Sequence, residues 1–139
     1  MKVGFTGTQV GITTEQKERV ASLLNSNTIT EVHHGDCIGA DKQFHDLAKE
    51  KQYSIIIHPP TNEVKRAFCK GGALLLKKPY LDRNRDIVNS VDLLIGCPKG
   101  EETQRSGTWM TIRYAKTKGK LIRIIYPNGN MEVEEKCQK

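Results

Sequence analysis

The sequence contains no Cys-x-x-Cys pair. Its four cysteines, Cys37, Cys69, Cys97 and Cys137, are scattered along 139 residues, which argues against zinc ribbons and dithiol redox motifs. No apolar run approaches the roughly 20 residues that a membrane helix needs. The opening Met1-Lys2-Val3-Gly4-Phe5 turns polar too early for a secretory signal. Scattered thiols without a secretion signal predict a cytoplasmic protein with no membrane partner. Aromatic residues make up only 6%, few for a surface that stacks successive bases. Acidic residues are also in deficit, 16 against 22 Lys and Arg, a net charge of +6. That excess favours anionic partners. Part of it gathers in Lys65, Arg66, Lys70, Lys77, Lys78, Arg83 and Arg85. Small phosphorylated ligands account for it as well as polynucleotides do.

What is present is strand alternating with helix. Lys2–Thr6 reads as a buried strand. Thr13 and Gln16 then form a capping box for a helix carrying Val20, Leu23 and Leu24. Thr30–His34 is a second strand, followed by a helix with Ala40, Phe44, Leu47 and Ala48 on one face. Tyr53–Ile57 is a third, ended by Pro59-Pro60. Residues 61–81 show no clear period and read as a functional loop or lid. Asp82 is expected to cap a helix bearing Ile87, Val88 and Val91, and Val91–Ile95 is the fourth strand. A charged loop, 99–105, precedes a helix that places Ile112 and Ala115 inward and stops at Gly119. Leu121–Ile125 is the fifth strand. Pro127-Asn128-Gly129-Asn130 reads as a hairpin turn into a short antiparallel edge, Met131–Val133, and the tail Glu134–Lys139 as frayed.

This rhythm predicts an α/β domain spanning 1–139, with a mainly parallel sheet covered by helices on both faces. The expected order of the five strands is 3-2-1-4-5, with the C-terminal hairpin as an extra edge. Ligands of such sheets bind at the strand C-termini, where the winding reverses between first and fourth strands.

Three turns carry the candidate chemistry. Gly7-Thr8 follows the first strand, Gly35-Asp36-Cys37-Ile38-Gly39-Ala40-Asp41 the second, and Ser106-Gly107-Thr108 opens the helix before the fifth. Small residues at a helix start leave backbone N–H groups free beside the positive dipole end, which suits a phosphate. The dinucleotide pattern Gly-x-Gly-x-x-Gly is not met. Asp36 is the candidate ribose acceptor or general acid/base. Asp41 is either a ligand contact or a carboxylate placed for the helix dipole. Arg83 and Asn84 are expected to face the ligand, and Arg85 solvent, since positions i and i+2 of a helix face apart. Arginines at a helix start oppose the dipole, so an anion contact would compensate. His33 and His34 alternate faces of one strand and cannot chelate one metal together. Cys37 and His45 lie close enough in sequence to sketch a metal site, but no metal and no cofactor is expected.

These turns, in this order, resemble the SLOG superfamily of Rossmann-like domains, which joins DprA to the LOG nucleotide hydrolases, and in particular its small bacterial and phage members. The similarity rests on Gly7-Thr8, His34 to Asp41, Arg83-Asn84 with Asp92, and Gly107-Thr108. It covers about residues 2–126 and implies a three-layer α/β/α fold with a nucleotide-like ligand in its crevice. In the LOG branch and the related deoxyribosyltransferases a catalytic Glu follows the Gly-Thr turn. Here Trp109, Met110, Thr111 and Ile112 follow it, and none is a carboxylate. Asp36, Glu101 and Glu102 are the remaining candidates for a catalytic acid.

The resemblance therefore implies binding of a nucleotide or nucleotide-derived ligand, for sensing or sequestration. The ligand-binding set is Gly7, Thr8, Gly35, Asp36, Gly39, Asp41, Arg83, Asn84, Ser106, Gly107 and Thr108. The first alternative is hydrolysis of the N-glycosidic bond of a nucleoside 5′-monophosphate. The second is DprA-like binding of single-stranded DNA, motivated by the net charge. By analogy with the architecture, a homo-oligomer is expected.

Overall fold

The computed structural model describes residues 1–135. Cys137 and most of the tail expected to fray lie outside the described residues. The elements, in chain order, are β1 (Lys2–Gly7), α1 (Thr14–Leu23), β2 (Glu31–His34), α2 (Ala40–Glu50), β3 (Ser54–Ile57), β4 (Ala73–Leu74), α3 (Tyr80–Ser90), β5 (Leu93–Cys97), α4 (Gly107–Thr117), β6 (Leu121–Ile125) and β7 (Met131–Glu134). One sheet runs β4-β3-β2-β1-β5-β6-β7, parallel except for the antiparallel β6–β7 edge. The order anticipated for the five main strands is observed. The two-residue β4 adds an edge inside the segment read as loop.

Alternation along the strands sorts the core into two layers. Val3, Phe5, Val32, Ile95 and Ile125 meet Val20 of α1, its C-cap Leu24, and Phe44 and Ala48 of α2 on one face. Leu94, Ile122 and Ile124 meet Val88 of α3 and Trp109, Ile112 and Ala115 of α4 on the other. Winding runs one way through α1 and α2, then back through α3 and α4, so the reversal falls between β1 and β5.

Local chemistry pins the strand ends at that point. Thr13 and Gln16 form the expected capping box at α1. The buried Gln16 amide also donates to the carbonyls of Pro98 and Ile125, both at 2.9 Å. One side chain thus starts a helix and ties together the ends of β5 and β6.

Three expectations are corrected. α3 begins at Tyr80 behind Pro79, so Asp82 lies within the first turn rather than capping it. β5 starts at Leu93, two residues later than read, because Val91 caps α3 in an extended conformation. Segment 61–78 is not a lid. It folds against the β2–α2 corner, where Ile38 N–H donates to Lys65 O at 2.9 Å and Ala67 N–H to Asp36 O at 2.7 Å.

Candidate functional site

A cleft of about 670 Å³ opens at the C-terminal ends of β1 and β5, beside the reversal. Its walls come from the end of β1, the β2–α2 corner, the first two turns of α3, loop 99–105 and the start of α4.

One wall is the α4 corner. Ser106 caps the helix, its hydroxyl accepting from Trp109 N–H at 3.2 Å. The N–H groups of Gly107 and Thr108 find no acceptor among the described residues, as expected for the first turn of a helix. A β-carbon built on Gly107 would meet nothing within 4 Å, so packing does not require glycine there. Lys99 and Arg105 line the same wall. Among the described residues neither has a carboxylate within ion-pair distance. Thr8 lies across from them, held by its N–H to Cys97 O at 3.2 Å.

The α3 side has a different chemistry. Arg83 is 5% exposed, and its guanidinium is spent on the protein. It donates to the carbonyls of Gly35 and His58, to Asn84 Oδ1 at 2.8 Å and to Cys37 Sγ at 3.7 Å. These acceptors hold most of its N–H donors, and Arg83 also lines the cleft. It also sits 5.1 Å from the centroid of the Tyr80 ring, which with Leu81 and Met110 forms an apolar wall. Asn84 lines the cleft, its oxygen already taken by Arg83. Arg85 is exposed and lies over Tyr114 instead.

The two aspartates of the β2–α2 corner have separate fates. Asp36 is fully buried and does not line the cleft. Its carboxylate accepts from Arg66 Nε at 2.7 Å and from Cys69 N–H at 2.8 Å. The candidate acid/base of the sequence is thus walled in by segment 61–78. Asp41, 6% exposed, does line the cleft. Its Oδ2 accepts from Cys37 N–H at 3.2 Å. Burial, only partly offset by Arg83, pushes its carboxyl up to about 6.

Of the remaining candidates, Gly7, Gly35, Ser106, Gly107 and Thr108 line the cleft, and Gly39, Glu101 and Glu102 do not. Gly39 sits at φ 85°, and a β-carbon there would strike the Gln9 carbonyl. Its role is to let α2 start beneath the β1 turn. Glu102 pairs with Arg113 at 2.9 Å. Met110 is the only cleft-lining residue among the four that follow the Gly-Thr turn. Sequence reasoning missed Lys99, Arg105 and Tyr80. The first two were visible as cations flanking the Ser-Gly-Thr turn.

The histidines form two pairs, one on each face of β2. The Asp36 N–H donates to His34 Nδ1 at 2.9 Å, so His34 carries its proton on Nε2 and donates to His45 Nδ1 at 2.9 Å. His45 then donates from Nε2 to Lys70 O at 2.7 Å. Cys69 approaches this pair closely enough to suggest a metal trio. Both nitrogens facing it are already engaged with each other, and burial lifts the Cys69 thiol to about 12. The cluster is a hydrogen-bonded relay. On the other face His33 Nδ1 lies 2.8 Å from His58 Nε2, and His33 Nε2 lies 2.6 Å from Glu31.

No protein-family model matches the chain, and no curated protein matches it. Two solved structures share its fold. The crystal structure of TM1055 is 18% identical with a TM-score of 0.66, over 87% of this chain and 71% of that one. The molybdenum cofactor binding protein from the phototrophic bacterium Rippkaea orientalis is 18% identical with a TM-score of 0.70, over 90% of this chain and 76% of that one. At this identity the likeness is one of fold. No helix among the described residues is long and apolar enough to cross a membrane.

Proposed function

We propose that the cleft binds a small phosphorylated, nucleotide-like ligand, with its phosphate on the α4 corner and its ring toward Tyr80. The observation that carries this reading is the combination at Ser106–Thr108. Two N–H groups and two cations without partners among the described residues line one cavity with a helix dipole, beside a glycine that packing does not require. A phosphate satisfies all of these at once. The cleft's volume suits a mononucleotide or a cofactor of similar size. A protein of the same fold that binds the molybdenum cofactor supports a small-molecule ligand. For that cofactor the α4 corner would again hold an anionic group. The His34–His45–Cys69 cluster takes no part, since none of the three lines the cleft.

Calorimetric titration with nucleoside mono-, di- and cyclic phosphates and with molybdenum cofactor tests the reading. Saturable binding of at least one supports it, and absence of heat from all of them contradicts it. A second reading, cleavage of the N-glycosidic bond, is favoured by one observation: Asp41 is a carboxyl in the cleft wall, pushed up to about 6 by burial. Chromatography for free base after incubation with nucleoside 5′-monophosphates decides it. A product peak lost in Asp41→Asn would promote hydrolysis above simple binding.

A further inference from the structure

Asp41 is a buried carboxylate without a counter-ion. No cation lies within ion-pair distance of it among the described residues. Arg83, the cation that acts on it most, is committed to two carbonyls, an amide and a thiol. The backbone N–H of Cys37 holds the carboxylate from the protein side, donating to Oδ2 at 3.2 Å. A carboxylate has about four acceptor sites, so the cleft side retains capacity for two donors.

The surroundings say which end of a ligand it meets. A short chain of contacts runs from Asp41 through Cys37 and Arg83 to the Tyr80 ring, and the charge of Asp41 acts on the Tyr80 phenol. The carboxylate therefore shares its end of the cleft with the aromatic wall. An anionic phosphate would be repelled there and is accommodated at the α4 corner. The group presented to Asp41 belongs to the ring that lies along Tyr80.

We propose that Asp41 selects the heterocycle, favouring a guanine-type edge in which an exocyclic amine stands beside a ring N–H. Two coplanar donors match the two oxygens of a fixed carboxylate. Adenine, which offers an amine beside an unprotonated ring nitrogen, matches only one. This assignment rests on the binding function proposed above and names its ligand class.

The test is calorimetry with GMP, IMP and 2′,3′-dideoxy-GMP. IMP keeps the ring N–H and lacks the amine, and the dideoxy compound keeps the edge and lacks the ribose diol. At pH 7.5 GMP should bind about tenfold or more tightly than IMP, the scale of one hydrogen bond to a charged group, and dideoxy-GMP as tightly as GMP. The GMP-to-IMP ratio should shrink toward one at pH 5, where Asp41 becomes protonated. Both ligands carry the same phosphate, so its titration cancels in the ratio. The groups facing Asp41 are Arg83 from α3, Asp36 and the Cys37 thiol from its own corner, and Tyr80. Burial holds the Cys37 thiol and the Tyr80 phenol above their ordinary values, so neither loses its proton between pH 5 and 7.5.

Asp41→Asn should lower the ratio to about one at pH 7.5 while phosphate-dependent binding persists. If that variant does not fold, the wild-type pH series decides alone. Equal affinity for GMP and IMP overturns the assignment while leaving nucleotide binding intact. So does a loss with dideoxy-GMP as large as with IMP, which would give Asp41 to the ribose. Absence of binding by every nucleotide overturns both this inference and the function beneath it.

Discussion

The β2–α2 corner and the α4 corner look alike in sequence and differ in what they have left to offer. Both place glycine and small or acidic residues at the start of a helix. At the first, Gly39 is forced by a positive φ and a neighbouring carbonyl, and Asp36 is consumed by Arg66 and Cys69. At the second, Gly107 is crowded by nothing and two N–H groups go unanswered. The first corner is built to hold the fold, and of its two aspartates only Asp41 lines the cleft, beside Gly35 and Cys37. The second is built to receive something. A glycine-rich turn acquires a functional reading only when its donors and its space are both unclaimed.

Substitutions separate the two corners, beginning with the largest effect. Asp36→Ala removes the buried partner of the Arg66 guanidinium, leaving it only the exposed Glu63, and should cost about 3 kcal/mol in urea denaturation. Retained stability with loss of ligand binding would instead make Asp36 a ligand contact and erase the contrast. Gly39→Ala comes next, at about 3 kcal/mol, from backbone strain and the clash with Gln9 O. A cost below about 1 kcal/mol would show that this corner tolerates a side chain after all.

Acid should loosen the first corner before the second. Burial, reinforced by His45, holds His34 down to about 3, and burial with His33 beside it holds His58 down to about 4. Both values lie below the unfolded 6.5, so the unfolded chain takes up protons first as the pH falls. The stability is whole above about pH 6.5 and is lost progressively toward pH 4 to 3. Between pH 6.5 and 5.5 the two histidines together should remove about 2 kcal/mol. Denaturation midpoints that do not change over this interval would contradict the relay.

Much of the scaffold was legible because its signals are local. Thr13 and Gln16 sit three residues apart and cap α1 by themselves. The alternation of apolar strands with amphipathic helices left few topologies, and the observed order is among them. The choice between Asp36 and Asp41 was not legible. It depends on the positive φ of Asp36 and on Arg66, thirty residues further on, a partner that no local pattern announces. The irregular 61–78 segment hid its purpose for the same reason, since its hydrogen bonds run to a distant corner. β4 escaped notice because two residues carry no period. Arg83 drew attention as a cation at a helix start, yet its partners are carbonyls from two other loops.

The smallest expected effect on folding belongs to the variant with the largest consequence for the cleft. Gly107→Val adds a β-carbon with nothing within 4 Å of it, so stability should stay within about 0.5 kcal/mol of the wild type. The decisive measurement is a paired titration of wild type and Gly107→Val with the tightest nucleotide found, alongside a denaturation curve for each. The account predicts matching curves and binding confined to the wild type. Equal binding by both proteins would contradict it.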